Sequence, residues 1–433
     1  MVRASDLTSS DGLVYGRKYS SVVPAKVTGE KVVRNLSNLD LAMKLHYLRG
    51  VYFFNRSAVE GLDIYKLKEP MFKWLEIFNV TSGRIRRDEE SGRPFIRCND
   101  GGVRIVEAQC DKTLDECIEL MSRDGHSFDL YGSLVPNQVL GPDLHFSPLV
   151  FVQFTWFKCG GISVGLSWSH ILGDAYSSSK FINAWAQVLA GNHPTKPILN
   201  PTAPNSPTKT APAEPLSLKQ VPSVGDHWVA PNPPNLRHLT LQITPTHLAH
   251  MTHALSSASN QEISPFEAIS AIIWQCLGKI RAGSTCDPKF VTVIKNKSLE
   301  RANATLGNTQ SVSVVKGESY SEAGELAEVL VNEAVEETVM VGETVGRDKG
   351  VSDFVVYGAN LTFVEAEEAE VYGLELNGHR PVFASYAVDG AGDKGVVVVL
   401  PGRESGGRVV SVLLPESEVS ALKMELKKRW GIA

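Results

Sequence analysis

At 433 residues, 43% of them hydrophobic and 21% charged, the chain has room for two ordinary domains with sizeable cores. A net charge of -5 argues against a broad nucleic-acid surface and leaves small molecules or proteins as partners. No stretch approaches the ~18 to 20 apolar residues of a membrane span, so membrane association is expected to be peripheral only. The six cysteines (Cys98, Cys110, Cys117, Cys159, Cys276, Cys286) lack C-x-x-C pairing, and no apolar segment follows Met1. A reducing cytosolic compartment with free thiols is the simplest expectation.

In chain order, residues 1–16 are polar and aperiodic and read as a loose tail, and residues 19–24 as a first strand. Residues 39–52 are compatible with strand or helix. Met71, Trp74, Leu75 and Phe78 have helical spacing, with Pro70 expected in the first turn. Strand patterns at 95–98 and 103–108 flank Asn99-Asp-Gly-Gly102, a hairpin signal. A short helix is expected over 114–121. Phe151 to Phe157 and Ile162 to Trp168 read as strands joined at Gly160-Gly161. Gly173 then permits an unusual backbone, and Asp174 stands where an N-cap belongs, ahead of Phe181, Ile182, Trp185, Ala186 and Leu189.

Residues 191–235 turn sharply towards Pro, Thr, Ser and Asn, which predicts an extended crossover with no packed element. This places one domain at 1–190 and a second at 236–433. In the second, strands are expected at 237–244, 291–294, 309–315, 354–364, 382–388, 396–400 and 408–414. Helices are expected at 248–257, 265–278 and 416–430, with an acidic, solvated one at 322–337. Strands and helices mix without regular alternation, so both domains are expected to be α+β. Gly390-Ala-Gly-Asp-Lys-Gly395 matches a nucleotide-loop pattern, but a strand follows it, and it reads as a flexible hairpin loop. His247, His250 and His253 lack an accompanying carboxylate or cysteine and read as an exposed stripe; no metal is expected.

The chemistry-bearing pattern is His170-Ile-Leu-Gly-Asp174. A strand-bend-helix setting holds an imidazole at a strand end, where it can act as a general base on an attacking hydroxyl or amine. The other reading is a packed histidine followed by a helix cap. Asp174 is expected to be structural under both, capping its helix or pairing with Lys297.

Along almost its whole length the chain resembles the BAHD acyltransferase superfamily. The likeness rests on LSNLDL (36–41), SGRIRR (82–87), IRCNDGGVRIVEA (96–108), VQFTWFKCGGISVGLSWSHILGD (152–174), SPFEAISAIIW (264–274), Gly307-Asn308 and GGRVVSVLLPESEV (406–419). It implies a two-domain, chloramphenicol-acetyltransferase-like fold with a channel between the domains and His170 midway along it. Within the superfamily, LAMKLHYLRGVYFF (41–54), LGPDLHFSPLVF (140–151), SDFVVYGANLTFV (352–364) and GDKGVVVV (392–399) are similar to the eceriferum/glossy-type proteins of cuticular wax synthesis. That likeness implies an accessory role in very-long-chain fatty acid elongation. The implied partner is a 3-ketoacyl-CoA synthase at the cytosolic face of the endoplasmic reticulum. No tightly bound cofactor is implied; acyl-CoA is a candidate substrate or ligand.

The departures from the superfamily pattern are specific. Its Asp-Phe-Gly-Trp-Gly is Glu375-Leu-Asn-Gly-His379 here, the glycine after Asp174 is Ala175, and the Asp-Gly-Arg of the second domain is Lys295-Asn296-Lys297. The alternative activity is acyl-CoA-dependent O- or N-acyl transfer with His170 as base.

Overall fold

Apolar runs such as Val150–Phe157 and Ile162–Ser169 are buried on both faces, which is why they lack an alternating pattern. They lie at the centre of a six-stranded sheet in the computed structural model, which describes residues 12–29, 31–122, 130–136, 144–199, 214–228, 236–259, 261–283, 288–296, 305–318 and 321–432. The sheet runs Val14–Val22, Val103–Cys110, Val150–Phe157, Ile162–Ser169, Tyr47–Phe54 and Phe383–Asp389. Only the Val103–Cys110 and Val150–Phe157 pair is parallel. The second sheet has seven strands: Leu236–Ile243, Arg408–Pro415, Val396–Pro401, Leu361–Glu365, Phe290–Asn296, Gln310–Lys316 and Val335–Glu336. The architecture is therefore mixed α and β, as expected. The edge strand Phe383–Asp389 comes from the second half of the chain but pairs with Tyr47–Phe54 in the first sheet.

Two helices back the first sheet. Ile64–Ile77 starts at Asp63, whose carboxylate accepts the Lys66 N–H, and turns Leu67, Met71, Trp74 and Leu75 inward. Its partner, Ala175–Leu189, meets it through Trp74 and Phe181, ring centroids 4.0 Å apart. Each indole finds a carbonyl, Trp74 on Phe181 and Trp185 on Leu67, so these tryptophans add no unpaired donor to the core. Pro70 lies inside the first helix rather than in its first turn, because the helix begins six residues before it.

Several local expectations are corrected. The tail reading fails from Val14 onwards, where the first strand begins. Residues 39–52 hold both candidates, the helix Asn38–Ala42 and then the strand Tyr47–Phe54. Asn99–Gly102 is not a hairpin turn. Pro94–Arg97 pairs with Arg84–Arg87 and Val33–Asn35 in a separate three-stranded sheet, whereas Val103–Cys110 joins the six-stranded one. The loop is pinned instead by the Arg84 guanidinium, which donates to the carbonyls of Gly101 and Gly102. Gly390–Gly395 likewise links strands of different sheets.

The described parts of the crossover form short strand pairings, with their own side chains mostly exposed. Ile198–Leu199 runs parallel to Thr305–Leu306, and Lys219–Val221 runs antiparallel to Asp353–Val355. The acidic helix ends early, at Asn332. Beyond it Glu337 is 5% exposed, far from a solvated face, and its carboxylate accepts the Leu216 and Ser217 N–H groups and the Ser217 hydroxyl. A helix not anticipated from the sequence, Thr338–Gly346, follows.

Lys44 is fully buried. Its ammonium lies 2.8 Å from Asp353 and donates to the carbonyls of Gly350, Val351 and Ser352. Lys44→Met would leave the Asp353 carboxylate buried and uncompensated. The expected loss is roughly 3–5 kcal/mol of stability, read from urea unfolding midpoints.

Candidate active site at His170

Ile162–Ser169 delivers His170 to the end of the first sheet, where the His170 N–H donates to the His46 carbonyl at 3.0 Å. A single turn, His170–Leu172, leads to Gly173 at φ 146. A Cβ there would lie 2.5 Å from the Ser177 hydroxyl and 2.8 Å from the Gly307 nitrogen, so only glycine fits. Asp174 then caps Ala175–Leu189, accepting the Ser177 N–H at 3.1 Å. Its other oxygen accepts the N–H and the hydroxyl of Thr309, each at 3.0 Å. Asn308 donates to the His170 carbonyl at 2.9 Å and to Asp40 at 2.8 Å. Gly307, Asn308 and Thr309 of the second half thus grip the bend that carries the motif.

The capping reading of Asp174 holds in this geometry. Its expected partner Lys297 lies outside the described residues, and Lys295 is bonded to Glu267. Burial raises the Asp174 carboxyl above the usual carboxylate range, against the pull of its Thr309 and Ser177 hydrogen bonds.

His170 is 1% exposed, and its Nε2 lies 2.8 Å from the Tyr357 hydroxyl. Burial lowers the imidazole pKa from 6.5 to about 4, so the ring is neutral at physiological pH. Burial pushes the Tyr357 phenol far above its ordinary 10, so it keeps its proton. Nε2 and the phenol form one hydrogen bond, whose direction is set by the imidazole tautomer. Nδ1 is buried and has no hydrogen-bond partner among the described residues.

His46 completes the group. Its Nε2 accepts the N–H groups of Val356 and Tyr357 at 3.1 and 3.4 Å, and its ring stands edge-on to Tyr357 with centroids 4.9 Å apart. Burial, aided by the nearby His170, lowers its pKa to about 3. The glycine-rich loop holds Tyr357 from behind, where the Gly392 N–H donates to the Tyr357 carbonyl at 2.9 Å. Gly358 and Gly392 pass so closely that a Cβ on either would come within 2.6 Å of the other's backbone.

Sequence reasoning found His170, Asp174 and the Gly307-Asn308 pair but did not bring His46 and Tyr357 together with them. The available signal was that 41–54 and 352–364 both mark the same subgroup. The strand expected over 354–364 is broken after Val355, and the break turns Tyr357 into the site. Glu375–His379 forms an exposed two-residue turn with Asn377 and Gly378 at φ 47 and 74, and Arg380 bonds to Glu375 at 2.9 Å. The glutamates before it are not all solvated. Glu367 pairs with Arg408, and burial, opposed by Lys295, pushes Glu365 up to about 7. Among the described residues no histidine, cysteine and carboxylate group is arranged to hold a metal ion, and the described cysteines Cys98, Cys110, Cys117, Cys159 and Cys276 are free thiols.

A transferase family model matches residues 14–428. The chain belongs to the BAHD transferase family. This BAHD chain is 39% identical to Protein ECERIFERUM 2 of Arabidopsis thaliana, covering 94% of this chain and 97% of that one. It is 36% identical to Protein ECERIFERUM 26 of the same plant, covering 99% of each. Likeness to a hydroxycinnamoyltransferase of Narcissus pseudonarcissus is 29% over 60% of each chain. Among solved structures, vinorine synthase superposes with a TM-score of 0.70 at 18% identity, covering 96% of this chain and 98% of that one. TRI101 of F. graminearum, complexed with coenzyme A and T-2 mycotoxin, gives 0.71 at 13% identity over 92% and 98%. Both share the BAHD fold with this chain.

Tyr357→Phe removes the hydrogen-bond partner of a buried imidazole nitrogen and is expected to lower stability by about 1–3 kcal/mol in denaturant unfolding. The depressed imidazoles also set a pH dependence. Between pH 6.5 and about 4 the unfolded chain binds protons that native His170 refuses, and native His46 refuses them down to about 3. Their contribution is therefore fully present above pH 6.5 and is lost as pH falls through that window. Urea midpoints measured against pH should show it, with a shallower slope in His170→Gln.

Proposed function

We propose that this chain is a BAHD-fold accessory protein that promotes very-long-chain fatty acid elongation for cuticular wax, working with a 3-ketoacyl-CoA synthase. The observation that carries the reading is the 2.8 Å contact between His170 Nε2 and the Tyr357 hydroxyl. A general base needs that nitrogen free for the proton of an attacking acceptor. Here a side chain of the same polypeptide occupies it, in a site 99% shielded from solvent. Near-full-length similarity to the ECERIFERUM proteins, against partial similarity to the hydroxycinnamoyltransferase, supports the same reading. A long acyl chain is a large apolar load, at ~0.8 kcal/mol per buried methylene, so even a partial groove would shift the chain length a condensing enzyme handles. Action at the cytosolic face of the endoplasmic reticulum, with acyl-CoA as the ligand at hand, belongs to this proposal.

The deciding experiment is co-expression with a 3-ketoacyl-CoA synthase in a host lacking both, with the acyl chain lengths profiled. Longer products are expected with the wild-type chain and equally with His170→Ala. One observation favours a second reading, acyl-CoA-dependent O- or N-acyl transfer: the His170 imidazole is intact and neutral, the protonation state of a base. Under that reading, purified protein given an acyl-CoA and an alcohol or amine would release CoA, and His170→Ala would abolish the release. That result would overturn the accessory role as the whole of the function.

A further inference from the structure

The strand Val14–Val22 and the outer face of the helix Ile64–Ile77 form one surface. The Ala25 N–H donates to the Phe72 carbonyl at 2.9 Å, Lys68 reaches the Ser20 hydroxyl at 2.9 Å, and Lys26 pairs with Glu76 at 2.9 Å. This surface exposes large apolar and aromatic side chains: Tyr65 at 79%, Val27 at 88%, Phe72 at 43%, and Tyr19 and Val23 at 40% each. On the helix they fall in register with lysines. Tyr65-Lys66 and Phe72-Lys73 are two aromatic–lysine pairs seven residues apart, hence on one face two turns apart. The inner face of the same helix carries Leu67, Met71 and Trp74 into the core, so the outward aromatics are not needed for packing.

Residues 14–28 and 64–77 carry six lysines and arginines against Glu69 and Glu76, and Lys26 and Lys73 both bond Glu76. Acidic neighbours lie around the strand, with Glu107 opposite Lys18 and Asp111 and Asp100 bonded to Tyr15 and Thr28, and Asp63 caps the helix, so the unpaired cations gather on the outer helix face at Lys66. The chain as a whole carries -5. Aromatic rings beside lysines are the chemistry of a bilayer interface, where the rings settle among head groups and the ammoniums meet anionic lipid. The C-terminal helix Glu416–Trp430 also ends in cations, but among its large apolar side chains only Met424 is markedly exposed. We infer that the face formed by Val14–Val22 and Ile64–Ile77 docks the protein on an anionic membrane surface. No described helix is long and apolar enough to span a membrane, so the contact is superficial. The docking helix also packs directly on Ala175–Leu189 through Trp74 and Phe181.

The test is flotation of the full chain with phosphatidylcholine vesicles with and without phosphatidylinositol. Binding is expected only with the anionic lipid and should collapse at ~1 M salt, where the Debye length is about 3 Å. Lys66→Glu with Lys73→Glu should weaken partitioning about tenfold or more, and Tyr65→Ser with Phe72→Ser should weaken it without altering thermal unfolding. Lys427→Glu with Lys428→Glu should leave it unchanged. The inference is overturned by no binding, by equal binding to neutral vesicles, by loss only in the C-terminal variant, or by indifference to both patch variants. It is also overturned if soluble polyglutamate, and not vesicles, binds this face, which would assign it to an acidic protein. The assay contains no condensing enzyme or acyl-CoA, so its failure leaves the elongation reading standing.

Discussion

Much of the molecule depends on how Asp174 is satisfied. A buried carboxylate needs donors on both oxygens. One oxygen takes the Ser177 N–H of its own helix, and the other takes two donors from Thr309, 135 residues away in the second half. The same short segment supplies Gly307, against which Gly173 must remain bare, and Asn308, which holds the His170 carbonyl. One side chain therefore starts a helix, fixes a bend and joins the two sheets. Altering it would disturb His170 without touching the imidazole, so loss of function on changing Asp174 carries no information about proton transfer.

His170 is enclosed by structure from both halves of the chain. The Nε2 side of its ring meets Tyr357, which is itself fixed by His46 in front and by the Gly358–Gly392 crossing behind. Burying two neutral imidazoles and a phenol has a desolvation cost, offset by the His170–Tyr357 hydrogen bond and by the Val356 and Tyr357 N–H groups that donate to His46. The group ties His46 and His170 of the first half to Tyr357 of the second.

The sequence made the motif side of this arrangement legible and left the Tyr357 side hidden, for a physical reason. Strand, bend and cap around His170 are local, each set by residues a few positions apart, and the family likeness supplied the fold. Tyr357 and His46 lie more than three hundred positions apart, and nothing in either stretch says that they meet. Turn chemistry misled at Asn99–Gly102 and Gly390–Gly395. Positive backbone angles at Gly102, Gly390 and Gly395 do occur there, but the chain uses them to pass between sheets rather than to reverse within one. The acidic run misled at Glu337, where a charge count cannot reveal that one glutamate turns inward to hold the crossover.

The strand Phe383–Asp389 has a consequence for how the molecule is made. It completes the first sheet by pairing with Tyr47 through Phe53, so the amino-terminal half keeps an open edge until nearly the entire chain has left the ribosome. That edge includes Val51, Tyr52 and Phe53, all fully buried once paired, and an open apolar edge strand recruits the wrong neighbours. A strand about nine-tenths of the way along the polypeptide therefore closes an edge laid down just past its first tenth.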